Sequence, residues 1–133
     1  MPVSRVRATT PWIVKWVLNP LFKLTGAMPL LTVRGRRTGR PYRTPINVVE
    51  LDGLHYLVSP RGETGWSRNV RASGEAWLKI GGRETHYTAT EVAPIERPRI
   101  ISAYLAKWGN QTRAQFEKLP DPVDHPTFRL EPS

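Results

Sequence analysis

Five arginines fall within ten residues, at Arg34, Arg36, Arg37, Arg40 and Arg43, around the pair Thr38-Gly39 and ahead of Thr44-Pro45. Guanidinium forks at this density, beside a glycine that lets backbone N–H groups approach a ligand, suit phosphate or carboxylate. The run stands between two apolar, β-like stretches, MPLLTV and INVVEL. A Thr-Gly pair between such runs signals a hairpin turn, because glycine supplies the positive φ that these turns need. The arginines are therefore expected on an ordered ribbon. The bland alternative is a solvated hairpin tip, but five arginines are more than solubility requires.

Other chemistry is sparse. Cysteine is absent, so there is no disulfide framework, no thiolate nucleophile and no sulfur-ligated metal. His55, His86 and His125 share no metal-ligand spacing, and each is expected to be structural. The acidic residues offer no obvious catalytic pair, and Glu63 and Glu75 read as surface or capping groups. For protonation of a product, water, Ser59 and the four tyrosines Tyr42, Tyr56, Tyr87 and Tyr104 all stay open.

The elements that must carry the arginines follow from pattern. A helix is expected over 12–18, broken at Asn19-Pro20, with a short turn over 21–25. Strands are expected over 28–33, 42–51, 54–59, 75–80, 83–92 and 127–130. Tight hairpins are expected at Asp52-Gly53 and Gly81-Gly82. Thr64 is expected to cap a short helix through Trp66, Asn69 and Val70 that stops near Gly74. Helical spacing over 93–108 and again over 111–119 predicts two further helices. About six strands with peripheral helices make a mainly β, α+β domain built as a small antiparallel barrel. Residues 1–27 read as an aromatic-rich helical segment and 28–133 as one domain.

The 133 residues carry 20 Lys+Arg against 11 Asp+Glu, a formal charge of +9. Such a field attracts polyanions without choosing among nucleic acid, anionic lipid and a small phosphorylated ligand. The stretch PWIVKWVLNPLFKL is interrupted by Lys15, Pro20 and Lys23. It is too short and too charged for a span, which takes roughly 20 apolar residues, and no signal-peptide pattern is expected. Trp12, Trp16 and Phe22 there suit either core packing or contact with a membrane surface or acyl chain. A cytoplasmic location, with peripheral contact at the membrane's inner face, is the expectation.

The runs GRRTGRPYRTP (35–45), DG (52–53), SPRGETGWSRNVRA (59–72) and PTFRLEP near the end occur in an order that resembles one family. It is the deazaflavin-dependent nitroreductase family, coenzyme F420-dependent oxidoreductases with a split β-barrel related to FMN-binding, pyridoxamine-phosphate-oxidase-like proteins. The resemblance implies a reduced deazaflavin that delivers hydride to a quinone, a nitro compound or an activated alkene, with a hydrophobic small-molecule acceptor as partner. It places Arg36, Arg37, Thr38 and Gly39 at the coenzyme phosphate, and Thr44 and Pro45 beside the ring. It places Ser59 and Arg61 at phosphate or tail contacts, and Trp66 and Asn69 on the ring side of the pocket. Arg34, Arg40, Arg43, Arg68 and Arg71 are candidates for the carboxylates of the glutamate tail on charge and proximity alone. FMN is the rival cofactor, with the same ring size and ribityl phosphate; the extra arginines favour the polyanionic F420. The chain lacks the aromatic-rich C-terminal segment of the nitro-drug-activating members, so their substrate range does not carry over.

Two rival functions stand beside this one. A non-catalytic carrier of coenzyme, haem or fatty acid would use the same scaffold. Nucleic-acid binding needs aromatic platforms interleaved with the basic groove, and the arginine run offers only Tyr42, so no specific nucleic acid is expected. The chain is expected to be a monomer or a homodimer.

Overall fold

The computed structural model describes residues 28–133, so the helix expected over 12–18 and the turn over 21–25 lie outside the described residues. Seven strands form one antiparallel sheet: β1 (Leu30–Arg34), β2 (Pro41–Pro45), β3 (Val48–Leu51), β4 (Leu54–Val58), β5 (Glu75–Ile80), β6 (Arg83–Glu91) and β7 (Thr127–Pro132). Among the described residues two α-helices, α1 (Gly65–Ser73) and α2 (Arg97–Lys118), complete the frame.

The strand order is β2-β1-β5-β6-β7-β4-β3. Strands β2 and β3 lie at opposite ends of that order, yet only Ile46 and Asn47 join them. Three Cα steps reach no more than roughly 11 Å, so the sheet must curl until its two edges approach. The result is a partly closed barrel. The single strand expected over 42–51 is thus two strands in different parts of the sheet. Pro45 lacks an N–H and ends the β1–β2 ladder opposite Leu30. The next amide, that of Ile46, turns to the Pro29 carbonyl at 3.0 Å.

Period-two alternation sorts the side chains. Inside the curl, Leu31 and Val33 of β1 pack with Leu78 of β5, Leu57 of β4 and Phe128 and Leu130 of β7. Ile46 and Val48 join the same cluster, as the curl of the sheet requires. Helix α1 adds Val70, and its Trp66 ring tilts against Phe128 with centroids 6.0 Å apart. On the other face, Val49, Tyr56 and Val58 pack against Ile100, Ile101 and Tyr104 of α2. The Trp108 indole donates to the Val48 carbonyl at 3.1 Å and so covers part of the β3 edge.

Both expected tight turns form with left-handed residues: Asp52 (φ 55°) with Gly53 (φ 79°), and Gly81 (φ 58°) with Gly82 (φ 85°). The two helices expected over 93–108 and 111–119 are instead the one helix α2, preceded by a 3-10 turn at Pro94–Glu96. Gly109 does not break it, because a helical glycine costs only about 1 kcal/mol and the packing of Tyr104 and Phe116 on either side outweighs that. Arg97 anchors the helix start. It is buried and donates to the carbonyls of Val92, Pro122, Val123 and His125 at 2.9–3.3 Å. His125 is also buried, stacked on Phe116 at 4.2 Å with Nδ1 2.8 Å from the Ser59 carbonyl oxygen, a structural role as expected.

Helix α1 is the element that matters for the site. Thr64 caps it as expected: Ser67 N–H donates to Thr64 Oγ1 and Thr64 N–H donates back to Ser67 Oγ, a capping box with serine in the usual Glu/Gln place. Gly74 ends it in the left-handed region. Arg71 then fastens it to the barrel, donating to both oxygens of Glu63 at 3.0 Å and to Glu91 on β6 at 2.8 and 2.9 Å. Burial works to raise the Glu63 carboxyl, but hydrogen bonds from Arg71 and Ser67 and the charges of Arg71 and Arg68 hold it below the usual range. Hydrogen bonding from Arg71 likewise lowers Glu91 against its burial.

Depressed carboxylates contribute stability that is present above their unfolded pKa, near 4.5, and lost as pH falls through the folded values. Acid unfolding followed by circular dichroism should therefore steepen below pH 4.5 in the native chain. Arg71→Met should flatten that slope; an unchanged slope would mean that the Arg71 clamp is not a source of acid lability.

Candidate functional site

A cavity of about 460 Å³ opens where the β1–β2 turn meets the start of α1. Its walls come from three places: Val33 and the turn residues Gly35, Arg36, Arg37 and Thr38; Tyr42 and Thr44 on β2; and Thr64, Gly65, Trp66 and Asn69 of α1 and its cap. The turn is held by Gly35 N–H donating to the Arg40 carbonyl at 2.7 Å and Gly39 N–H donating to the Gly35 carbonyl at 2.9 Å. Gly39 takes φ 75°, the geometry foreseen for the Thr-Gly pair. Thr38 Oγ1 accepts from Arg40 N–H at 3.2 Å and lies 3.5 Å from the Tyr42 hydroxyl.

Gly35 is required for a different reason. A Cβ there would stand 2.5 Å from Tyr42 Cε2, so only glycine lets the tyrosine ring lie across the turn. Trp66 offers the second aromatic wall.

The electrostatics are one-sided. The lining carries no carboxylate, histidine or lysine. The first amides of a helix have no intrahelical partner and lie at the positive end of its dipole, and no acidic side chain stands in the first turn of α1. Arg36 and Arg37 add full charges. Among the described residues neither makes an ion pair. Asn69 Oδ1 accepts from both the Arg36 backbone N–H (3.0 Å) and Arg36 Nη1 (2.9 Å), which ties the turn to α1.

The structure thus brings Arg36, Arg37, Thr38, Thr44, Trp66 and Asn69 to one cavity. Gly39 shapes the turn without lining it, and Pro45 is exposed beyond it on β2. Ser59 and Arg61 are not brought there. Ser59 is buried, with its hydroxyl donating to the Gly62 carbonyl and its amide to the Pro126 carbonyl. Arg61 lines a separate hollow of about 250 Å³ beside Arg71, Glu91 and Arg97. The strand ends before Ser59, which stays buried at the strand end, and the turn through Gly62 (φ 88°) follows Arg61 at the edge of that hollow.

The five arginines considered for a carboxylate tail divide. Arg34 is bound to Glu75 at 3.1 Å with its guanidinium 5.7 Å from the Trp77 ring, and Arg71 is bound to Glu63 and Glu91. Arg40, Arg43 and Arg68 are exposed and make no ion pair among the described residues.

Sequence reasoning left Tyr42 among four open tyrosines and gave no role to Gly35 or to the first residues of α1. Tyr42 was within reach: it lies two residues before Thr44 on one strand, so the two share a face. The Gly35–Tyr42 contact has no sequence signal. The walls carry guanidinium, hydroxyl and aromatic groups and no carboxylate or imidazole, a lining suited to an anionic ligand.

The fold has solved counterparts. The F420-H2-dependent reductase FDR-A superposes with a TM-score of 0.61 at 21% identity, over 79% of this chain and 94% of that one. The haem storage protein HutZ of Vibrio cholerae superposes at 0.59 with 14% identity, over 87% of this chain and 90% of that one. A putative pyridoxamine 5′-phosphate oxidase of Listeria innocua superposes at 0.58 with 14% identity, over 91% and 90%. At these identities the likeness establishes the split-barrel architecture, as expected. No curated protein sequence matches the chain. The family model of the F420H(2)-dependent quinone reductases matches residues 19–123, and with that match spanning most of its length the chain belongs to this family.

Proposed function

We propose that the cavity between the arginine turn and α1 is where this reductase holds F420. The observation that carries the reading is convergence: Arg36, Arg37 and the α1 N-terminus meet on one cavity whose lining holds no acidic side chain. The residues present fit the coenzyme. The volume is in the range of small-molecule sites, about 300–1,000 Å³. Two aromatic rings can flank a flat tricycle, and the cationic end suits a phosphodiester. Arg36, Arg37, Thr38 and the turn amides would hold the phosphate, Trp66, Tyr42 and Thr44 the ring. Arg40 and Arg43, exposed beyond the cavity, would take tail carboxylates. When bound, the reduced deazaflavin supplies the hydride for a quinone acceptor.

The protein's own contribution is binding, orientation and partial exclusion of water by the Trp66 and Tyr42 rings. Tyr42 is the one phenol on the cavity wall among the described residues, which narrows the choice of proton donor toward it and solvent. Among the described residues no helix is long and apolar enough to cross a membrane. A lipid-soluble quinone would be met at a membrane surface, and the Trp12, Trp16 and Phe22 segment remains our proposal for that contact.

Replacing both Arg36 and Arg37 by alanine should weaken F420 binding about 100-fold in a fluorescence titration, two charge-assisted contacts at about tenfold each. The thermal midpoint should barely move, and unchanged affinity would remove the phosphate assignment. Arg40→Ala with Arg43→Ala should weaken binding of F420 several-fold. It should leave unaltered the binding of a phosphorylated deazaflavin without glutamates and of FMN; equal losses for all three would show that these arginines do not read the tail. Turnover is checked by mixing the protein anaerobically with F420H2 and a soluble quinone and following the return of oxidised-coenzyme absorbance. Tight binding with no oxidation by quinone or nitro acceptors would mark a carrier instead.

A further inference from the structure

We propose that Asn69 is a positioning residue: it fixes the Arg36 guanidinium toward the coenzyme phosphate without cancelling its charge. This rests on the placement of F420 given above. Asn69 is 7% exposed and sits on α1, which is capped at Thr64 and fastened through Arg71. Its Oδ1 accepts two hydrogen bonds from one residue 33 positions away in sequence, the backbone N–H of Arg36 at 3.0 Å and Nη1 at 2.9 Å. Two donors converging on one atom settle the orientation of the amide, because the Nδ2 end has nothing to accept with.

The contrast with the other anchored arginines carries the inference. Arg34 is held by Glu75, Arg71 by Glu63 and Glu91, and Arg97 by Glu91 together with four carbonyls. Each of these has a carboxylate beside it that offsets its positive field. Arg36 is held by a neutral acceptor. A long side chain loses rotamer freedom when it grips a ligand, and Asn69 imposes that order beforehand while the full charge stays available. The hold also uses only Nη1. The Nε–Nη2 edge, the side-on fork that matches two oxygens of a phosphate, has no hydrogen-bond partner among the described residues.

The isosteric change Asn69→Asp separates this role from simple packing. A carboxylate can accept the same two bonds, so the geometry and the fold survive, but it pairs with Arg36 as Glu75 pairs with Arg34. A structural asparagine would tolerate the change with little effect on the ligand.

The test titrates F420, and in parallel the ribityl deazaflavin that has neither phosphate nor tail, into the native chain and four variants: Asn69→Ala, Asn69→Asp, Arg36→Ala and the double change Arg36→Ala with Asn69→Ala. Asn69→Ala is expected to weaken F420 about tenfold and Asn69→Asp at least as much. The double variant should match Arg36→Ala, and the phosphate-free ligand should bind all of them alike. Additive losses in the double variant, or equal losses for the phosphate-free ligand, would overturn the inference and leave Asn69 as a direct contact or a wall. If Asn69→Ala does not fold, Asn69→Asp carries the same comparison in native and Arg36→Ala backgrounds. A loss with Arg36→Ala but none with either Asn69 variant rejects the inference alone. No loss with Arg36→Ala rejects the coenzyme placement, and the inference with it.

Discussion

The two-residue tether Ile46-Asn47 is the constraint on which everything else depends. It joins strands from opposite ends of a seven-strand order, and a link that short cannot cross an open sheet. Closure follows, and with it a concave face lined by Leu31, Val33, Leu57, Leu78 and Leu130 that needs a cover. Helix α1 supplies the cover through Val70 and Trp66. Because Thr64 starts that helix where the β1–β2 turn projects, the first residues of α1 and the turn arginines line one cavity. The anion site is thus a consequence of how the barrel closes.

Charge is distributed by the same geometry. A chain with so many more basic than acidic side chains can place its few carboxylates where cations must be neutral overall or leave cations bare. Here Glu63, Glu75 and Glu91 serve arginines that anchor elements, namely Arg71, Arg34 and Arg97. None of the three lines the cavity. The exposed pairs contribute little each to stability, but Arg97 is buried with its donors directed at four carbonyls, which joins α2 to the loop before β7. Lowering of the Glu63 and Glu91 carboxyls keeps the α1 fastening charged into the acid range, below the usual carboxylate value. A rigid α1 in turn gives Asn69 a fixed position from which to hold Arg36. This links the stability of the frame to the reading of a phosphate.

Much of this was legible from local rules. The turn at Thr38-Gly39, the Asp52-Gly53 and Gly81-Gly82 hairpins, and the Thr64 cap with its Gly74 stop all form where left-handed or capping residues stand. Such signals depend on a few neighbouring residues and on steric limits that no distant contact can relax. The errors came where a distant partner decides. A run over 42–51 reads as one strand until the edges of a barrel must be joined at Pro45–Asn47. The spacing over 93–108 and 111–119 reads as two helices until Tyr104 and Phe116 pack one continuous helix through Gly109. Separately, the family resemblance groups Ser59 and Arg61 with the site residues, whereas Ser59 is buried and Arg61 lines the smaller hollow, neither on the cavity wall.

By itself, the sequence determined the basic turn, the strand and hairpin pattern, the caps of α1 and the family whose motifs it carries, because each of these rests on residue type at short spacing. Only the tertiary structure decided which arginines stay without a carboxylate, that Tyr42 can lie over Gly35, and that one amide oxygen of Asn69 holds Arg36 from a helix 33 residues away. The physical reason is that pairing and burial depend on through-space distances set by barrel closure. Composition can count the cations, but it cannot say which of them a carboxylate will reach.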